Sequence, residues 1–486
     1  MTTRIVFLSI FLANSFLFNA QLEFSNQDVT YKKGSYLGVS IPISDLPAVD
    51  ENEAPIHNEG TIKQNRIRPE AVNPDALPLK DDPIRQSSFG KTSTKSAIQN
   101  WDGQNGAFPP DPTGAAGPNH YVQAVNSRFR VYSKTGSPMS TSKNLNTLWA
   151  GSTSDGDPIV LYDRHADRWV ITQFQISGNK ILLAVSTTPD PLGTFHTYSF
   201  SFSQFPDYPK FSIWSDGYYM TSNSGSMNAV AFEREKMLVG DPTAAMVALN
   251  LPPMSTGYGF RSVLPADADG DLPPYGTPNY MFFFQDDSWG GISTDQIRIL
   301  KMNVNWAAPN SSTISLHQTL FPSPFNSVFT SSWNDITQKN SQQKIDAIAS
   351  VFNYRAQYMR WSGFNSVVLC NVVDIDNNNT GGIRWYELRQ DEATQQFSIF
   401  QEGTFAPSDG DSRFIGSIAM DNQKNIGLAY SISGVNSFPS LGFTGRYSWH
   451  APGQMTLQEQ RAVEGVSAQS GGNRFGDYSH MTLDPD

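Results

Sequence analysis

A strand–turn–strand pattern that returns along most of the chain constrains its fold more than any other feature. His120 to Val125 is a short apolar run, broken at Asn126-Ser127 and followed by Arg128 to Tyr132. In the second run Arg128, Arg130 and Tyr132 share one face and Phe129 and Val131 the other, the two-residue period of a strand. Pro158 to Tyr162 turns through Asp163 to Asp167 into Trp169 to Phe174, and Phe211 to Trp214 turns through Ser215-Asp216-Gly217 into Tyr218 to Thr221. Asn279 to Phe284 is followed by Gln296 to Val304, and Ala356 to Trp361 by Val367 to Val373. Phe414 to Met420 turns through Asp421 to Lys424 into Ile426 to Ser431. With a last start at Asp477 to Leu483, about seven units recur at intervals of roughly 40–60 residues, the spacing of four-stranded propeller blades.

The fold expected is therefore all-β: a seven-bladed β-propeller over residues 100–486. Two stacked β-sandwiches are the structural alternative, but they do not require the same signature so many times. The final unit shows only a first strand, so the last blade is expected to be truncated. Residues 21–99 read as an irregular, extended Pro-rich N-terminal arm or linker, because Pro42, Pro47, Pro55, Pro69, Pro74, Pro78 and Pro83 remove backbone donors throughout it.

Residues 1–20 read as a cleaved signal peptide. Arg4 supplies the positive start, Ile5 to Phe18 the apolar stretch, and Ala20 the small residue before the cut, with Phe18 a poor neighbour three residues upstream. The stretch is short for a membrane span and no comparable run follows. A secreted or cell-surface protein with no membrane span in its mature form is expected, and as a monomer. The net charge is −11, with no run of Lys and Arg, which argues against a nucleic-acid partner. The single cysteine, Cys370, lies in the apolar run Val367 to Cys370 and reads as a small core side chain.

Several units enter their first strand through similar residues: Gly156-Asp157-Pro158, Asp207-Tyr208-Pro209-Lys210, Arg413-Phe414-Ile415-Gly416, Arg474-Phe475-Gly476-Asp477-Tyr478 and Pro118-Asn119-His120. First strands line a propeller's channel, so these entries should gather on one face. The expected ligand-binding ring is His120, Asp157, Asp207, Tyr208, Lys210, Arg413, Arg474, Asp477 and His480. Arginine can grip a carboxylate in a bidentate fork, and His or Tyr can move a proton. The competing reading has the same groups tying neighbouring blades together through buried hydrogen bonds. The Asp163 to Asp167 turn belongs to the opposite end, where Asp side chains hold backbone.

Asp267, Asp269 and Asp271 alternate around Gly270 and are the candidate metal ligands, for a structural calcium ion, although Pro278 stands where an EF-hand needs its closing Glu. Asp374 to Asn379 is a weaker version of the same pattern. The nucleophile elbow, the zinc-protease helix motif, the phosphate loop and the sialidase Asp box are missing from the sequence. Two function classes stay open. One is a binding domain for a glycan or a surface protein, suited by an aromatic content of 12%. The other is a polysaccharide-active hydrolase or lyase with its site at the channel mouth.

The segments Pro110 to Gln123, Gly156 to Trp169, Ser186 to Pro191, Phe205 to Met220, Gly276 to Tyr280, Gly382 to Arg389, Gly416 to Asp421 and Gly476 to Ser479, taken as a set, resemble an uncharacterised family of secreted bacterial propeller-type proteins. The resemblance spans roughly residues 100–486. It implies export and a multidomain design, and it brings no activity or catalytic residues. The Phe18-Asn19-Ala20-Gln21 junction and the Asn-rich composition are similar to exported proteins of the Bacteroidota.

Overall fold

A computed structural model describes residues 28–49, 56–57, 81–93, 96–105, 107–256, 260–329 and 333–486. The expected signal peptide lies outside the described residues. The chain is nearly all β: its one α-helix among the described residues is the five-residue Arg234–Leu238. Four-stranded antiparallel meanders follow one another in sequence. The first sheet holds Thr113–Ala116, His120–Val125, Arg128–Ser133 and Lys143–Asn144. The second holds Ile159–Asp163, Arg168–Gln175, Lys180–Ser186 and Phe195–Ser201, and the third Lys210–Ile213, Tyr218–Thr221, Ala229–Phe232 and Ala245–Leu249. The fourth holds Leu264–Asp269, Asn279–Gln285, Gln296–Asn303 and Thr313–Leu320. The fifth holds Phe352–Arg360, Phe364–Asp374, Gly381–Asp391 and Phe397–Phe405, and the sixth Asp411–Met420, Ile426–Gly434, Ser440–Arg446 and Gln460–Val463.

First strands of consecutive sheets lie beside one another, from the first sheet to the sixth. Those of sheets four and five are hydrogen-bonded in parallel, Ala266 to Ala356 through Asp269 to Met359. All first strands thus run the same way, which gives the molecule two ends: an entry end where they begin and an exit end where they turn back. Central strands are buried on both faces, so they read as unbroken apolar runs. Val367 to Cys370 is such a run, and burial pushes the Cys370 thiol upward. Phe364 is reached through Gly363, whose φ of 85° suits glycine in a two-residue return.

The described meanders number six rather than seven. Asp477 to Leu483, the expected start of a further unit, carries no strand. It threads the axis instead. Ser479 Oγ donates to the Ile415 carbonyl at 3.1 Å and Met481 N to Ser417 Oγ at 2.8 Å, both on the sixth sheet. On the other side His480 Nδ1 meets Thr113 Oγ1 of the first sheet at 3.0 Å. Tyr478 OH reaches the Pro158 carbonyl at 3.0 Å, and Arg355 Nε of sheet five reaches the Met481 carbonyl at 3.1 Å.

Two units are shifted by one strand from their expected places. His120–Val125 and Asn279–Gln285 are second strands, preceded by Thr113–Ala116 and Leu264–Asp269. The described parts of the N-terminal arm are laid along the sheets. Thr30–Lys33 pairs with the outer strand of sheet three, Ser35–Val39 with that of sheet two, and Arg85–Gln86 in parallel with that of sheet five. Ile43 and Leu46 join the core of the first two sheets.

Candidate functional site

At the entry end the chain repeats one local device. Asp111, Asp157 and Tyr208 sit in the left-handed backbone region, with φ of 41°, 45° and 52°, each followed by a proline that opens the first strand. Asp tolerates this region better than most side chains. The corners turn their carboxylates inward, and the structure brings Asp157, Asp207, Tyr208, Lys210, Arg474 and Asp477 into one cluster with Asp111 and Tyr478. Arg474 Nε donates to Asp477 Oδ1 at 2.8 Å and its Nη2 pairs with Oδ2. Asp477 N donates to Asp111 Oδ1 at 2.6 Å. Asn126 links two corners: its Nδ2 donates to Asp111 Oδ2 at 2.5 Å and its Oδ1 accepts from Asp157 N at 2.8 Å. The Lys210 ammonium lies 3.3 Å from the ring centre of Tyr208 and 4.1 Å from that of Tyr478.

None of this cluster is open to water; its most exposed member, Asp207, reaches 9%. Burial, with Asp477 alongside, raises the Asp111 carboxyl to about 8. Burial raises Asp157 to about 7 against the pull of Lys210, and lowers Lys210 itself to about 8. Asp157 Oδ2 is buried without a hydrogen bond. As it stands the cluster ties the axial segment to the first three sheets.

His120, Arg413 and His480 lie elsewhere. His120 opens a second strand, so it sits at the exit end. Arg413 is buried on the flank of the sixth sheet, where Asp409 at 2.7 Å and Glu459 at 3.0 Å hold its guanidinium. His480 is further along the axis against Tyr354, and burial lowers its imidazole well below the usual range. Asp111 was hidden because the first unit was counted from His120; the Asp-Pro pair shared by Asp111-Pro112 and Asp157-Pro158 is the signal for it.

The metal candidates are arranged otherwise than expected. Asp267 Oδ2 accepts from Arg355 Nη1 at 2.8 Å, and Asp269 pairs with Arg355 Nη2 and accepts from Gln357 Nε2 at 2.8 Å. Asp271 is exposed in the turn beyond. The Arg355 charge thus stands between the carboxylates where a cation would. Asp374 accepts backbone N–H bonds from Asp376 and Asn379 and holds a turn. Among the described residues, the carboxylates that come within 4.8 Å of one another as a set that could meet one ion are Asp286, Asp287 and Asp295. Burial and Asp286 raise Asp295 to about 8, and Asp286 and Asp295 accept the backbone N–H groups of Ser327 and Phe325.

The exit end of sheets five and six carries a second cluster, this one facing water. Arg389 lies 4.4 Å from the ring centre of Phe364 and 3.2 Å from that of Phe400. Lys424, from the first turn of sheet six, lies 4.9 Å from Trp361 and 5.4 Å from the same Phe364. Beside this ladder the last turn of sheet six presents Tyr447 and Trp449, stacked at 4.6 Å with planes 7° apart, and His450 edge-on to both. The turn is fixed from three sides. Ser448 N donates to Asn425 Oδ1 at 3.0 Å, Arg446 Nη2 to the His450 carbonyl at 2.7 Å, and Gly453 N to Gln401 Oε1 at 3.1 Å. Trp449 is nonetheless 69% exposed and Phe400 47%. A held, water-facing ring pair is a platform for the flat apolar face of a sugar, and cations over rings favour anions nearby.

No protein-family model matches the chain, and no curated protein does. Solved structures overlap it weakly. An ulvan lyase of a polysaccharide lyase family is 9% identical, with a TM-score of 0.33 over 78% of this chain and 94% of its own. A Bacillus licheniformis endo-arabinanase is 11% identical, TM-score 0.29, over 75% of this chain and 100% of its own. An arabinofuranosidase from Podospora anserina is 12% identical, TM-score 0.29, over 77% and 98%. Overlap this low carries no conclusion about the present chain. No helix among the described residues is long and apolar enough to cross a membrane.

Proposed function

We propose that the protein is an exported binding domain that holds a glycan outside the cell or at its surface, on the aromatic shelf of sheets five and six. The observation that carries this is the Tyr447–Trp449 stack, which stands on a turn held by Asn425 and Gln401 and is yet 69% exposed at Trp449. Two stacked rings left in water on a turn held at Ser448, His450 and Gly453 form a contiguous exposed apolar surface of the kind that marks a binding site. The signal peptide read in residues 1–20 supports export. The six sheets, with residues 477–483 between the sixth and the first, are read as a propeller whose seventh unit begins on the axis.

The hydrolase or lyase reading would draw on carboxylates at the channel mouth. Asp111, Asp157, Asp207 and Asp477 are buried there and engaged with Lys210 and Arg474. Binding is therefore the better-supported class. The test is a screen of the purified protein against a panel of polysaccharides, reading retardation in affinity gels and product release together. Retardation without product, lost in Trp449→Ala, is the expected result. Steady release of oligosaccharides by the wild type would overturn it.

A further inference from the structure

We infer that the glycan this shelf takes is acidic: a polymer of sugars bearing carboxylate or sulfate groups. The inference rests on the binding function proposed above and deepens it.

Most buried cations of this chain are matched by carboxylates. Arg234 has Asp163, Arg355 has Asp267 and Asp269, Arg384 has Asp82 and Glu402, and Arg413 has Asp409 and Glu459. The shelf breaks that rule. Lys424 makes no ion pair among the described residues; its ammonium is held over the rings of Trp361 and Phe364 and stays half-exposed. Arg389 gives only its Nε to Glu387, at 2.7 Å, while Phe364 and Phe400 clamp its guanidinium plane. Its two Nη groups make no hydrogen bond within the described chain, and the side chain is 27% exposed beside the exposed Phe400 ring, which leaves a bidentate fork for a ligand. Arg446 stands close behind, near Glu387 and Arg389. Arg446 is itself buried, so the cationic groups the shelf offers to a ligand are the Lys424 ammonium and the Nη groups of Arg389.

Rings hold these cations in place without neutralising them, which leaves the charge for a ligand. Both Lys424 and Arg389 lie over Phe364, so they sit within about one Debye length of each other and act on the same stretch of ligand. The Trp449 stack next to them supplies the contact a sugar ring needs, which a free inorganic anion would not use.

The experiment measures binding of the wild type, Lys424→Gln and Trp449→Ala to four probes: polygalacturonate, dextran sulfate, neutral dextran and a single-stranded DNA oligonucleotide. Each is titrated at low and high sodium chloride, with thermal unfolding confirming that the variants fold. The expected wild type prefers at least one acidic polysaccharide to dextran and loses that preference at high salt. Lys424→Gln weakens the acidic probe by about three- to tenfold, more than it weakens dextran, so the preference between them narrows. Trp449→Ala weakens every glycan. Selective binding of only the carboxylated or only the sulfated polymer supports the inference and names the anion. Equal affinity for dextran and the acidic polymers overturns it while leaving the glycan reading intact. No binding to any polysaccharide overturns both, and tighter binding to the oligonucleotide makes the partner a nucleic acid instead.

Discussion

The axial cluster and the exit-end shelf are built from one chemical device and put it to opposite uses. At the axis Lys210 lies between the rings of Tyr208 and Tyr478; on the shelf Arg389 lies between those of Phe364 and Phe400. At the axis water is excluded and four carboxylates crowd in, so protonation states shift and the charges serve to hold the chain. On the shelf water reaches the same kind of pair, so the cation stays available to a ligand. Burial, more than residue type, separates a tether from a binding surface.

The sharpest way to break this comparison is to remove a charge from the axis. Arg474→Met leaves the Asp477 carboxylate buried without the guanidinium that holds it and should cost about 3–5 kcal/mol in urea unfolding, with glycan binding by the surviving folded protein unchanged. A loss under about 1 kcal/mol would falsify the tether. Arg413→Met should follow at about 3 kcal/mol, because Asp409 loses its cation and Glu459 keeps only Tyr430 OH and the longer contact with Arg461, and should likewise spare binding. Weakened ligand affinity in a folded Arg413 variant would return that residue to the site.

A smaller effect is expected from pH. The folded pKa of Asp111, about 8, and of Asp157, about 7, both stand above the unfolded value of 3.8. Their neutral forms favour the fold, so stability from these groups is complete below about pH 4 and is lost as pH rises toward 8. Lys210 has the opposite shift, from 10.5 down to about 8, so its contribution recovers above that point. The protein should be more stable at pH 5 than at pH 8 by on the order of 1 kcal/mol or more from this cluster, and Asp157→Asn should flatten the slope. An unchanged slope in that variant would place the proton uptake elsewhere. Least of all should Trp449→Ala disturb the fold, by within about 0.5 kcal/mol, although it removes binding. A large drop in its melting temperature would show that the stack is structural.

Much of the fold was legible because second and third strands are apolar, β-branched and closed by Asp, Asn and Gly turns. Two first strands were not. Thr113 to Ala116 is Thr-Gly-Ala-Ala, and Leu264 to Asp269 contains Pro265 and two aspartates. Strands packed on the axis need small or ion-paired side chains, so propensity is a poor guide to them. Missing them displaced His120 to the wrong end and turned Asp267 and Asp269 into metal candidates, when they pair with an arginine 86–88 residues away. Asp157, Asp207, Lys210 and Asp477 were readable because repeats place equivalent residues together. Arg413 fails that argument: its side chain leaves the strand toward Phe405 and Phe89, away from the axis. The shelf was invisible, since it joins turns of two sheets and no local pattern marks Trp449.

The axial path of residues 474–486 also sets an order of events during synthesis. Asp477 bonds to Asp111 across 366 residues, and Tyr478 to Pro158 across 320. All six sheets precede, along the chain, the segment that joins the sixth to the first. Until it arrives, the aspartates of the first corners have no arginine to face. Contacts so distant in sequence close slowly, and the growing chain must spend that interval as an open arc with its most polar surfaces still in water.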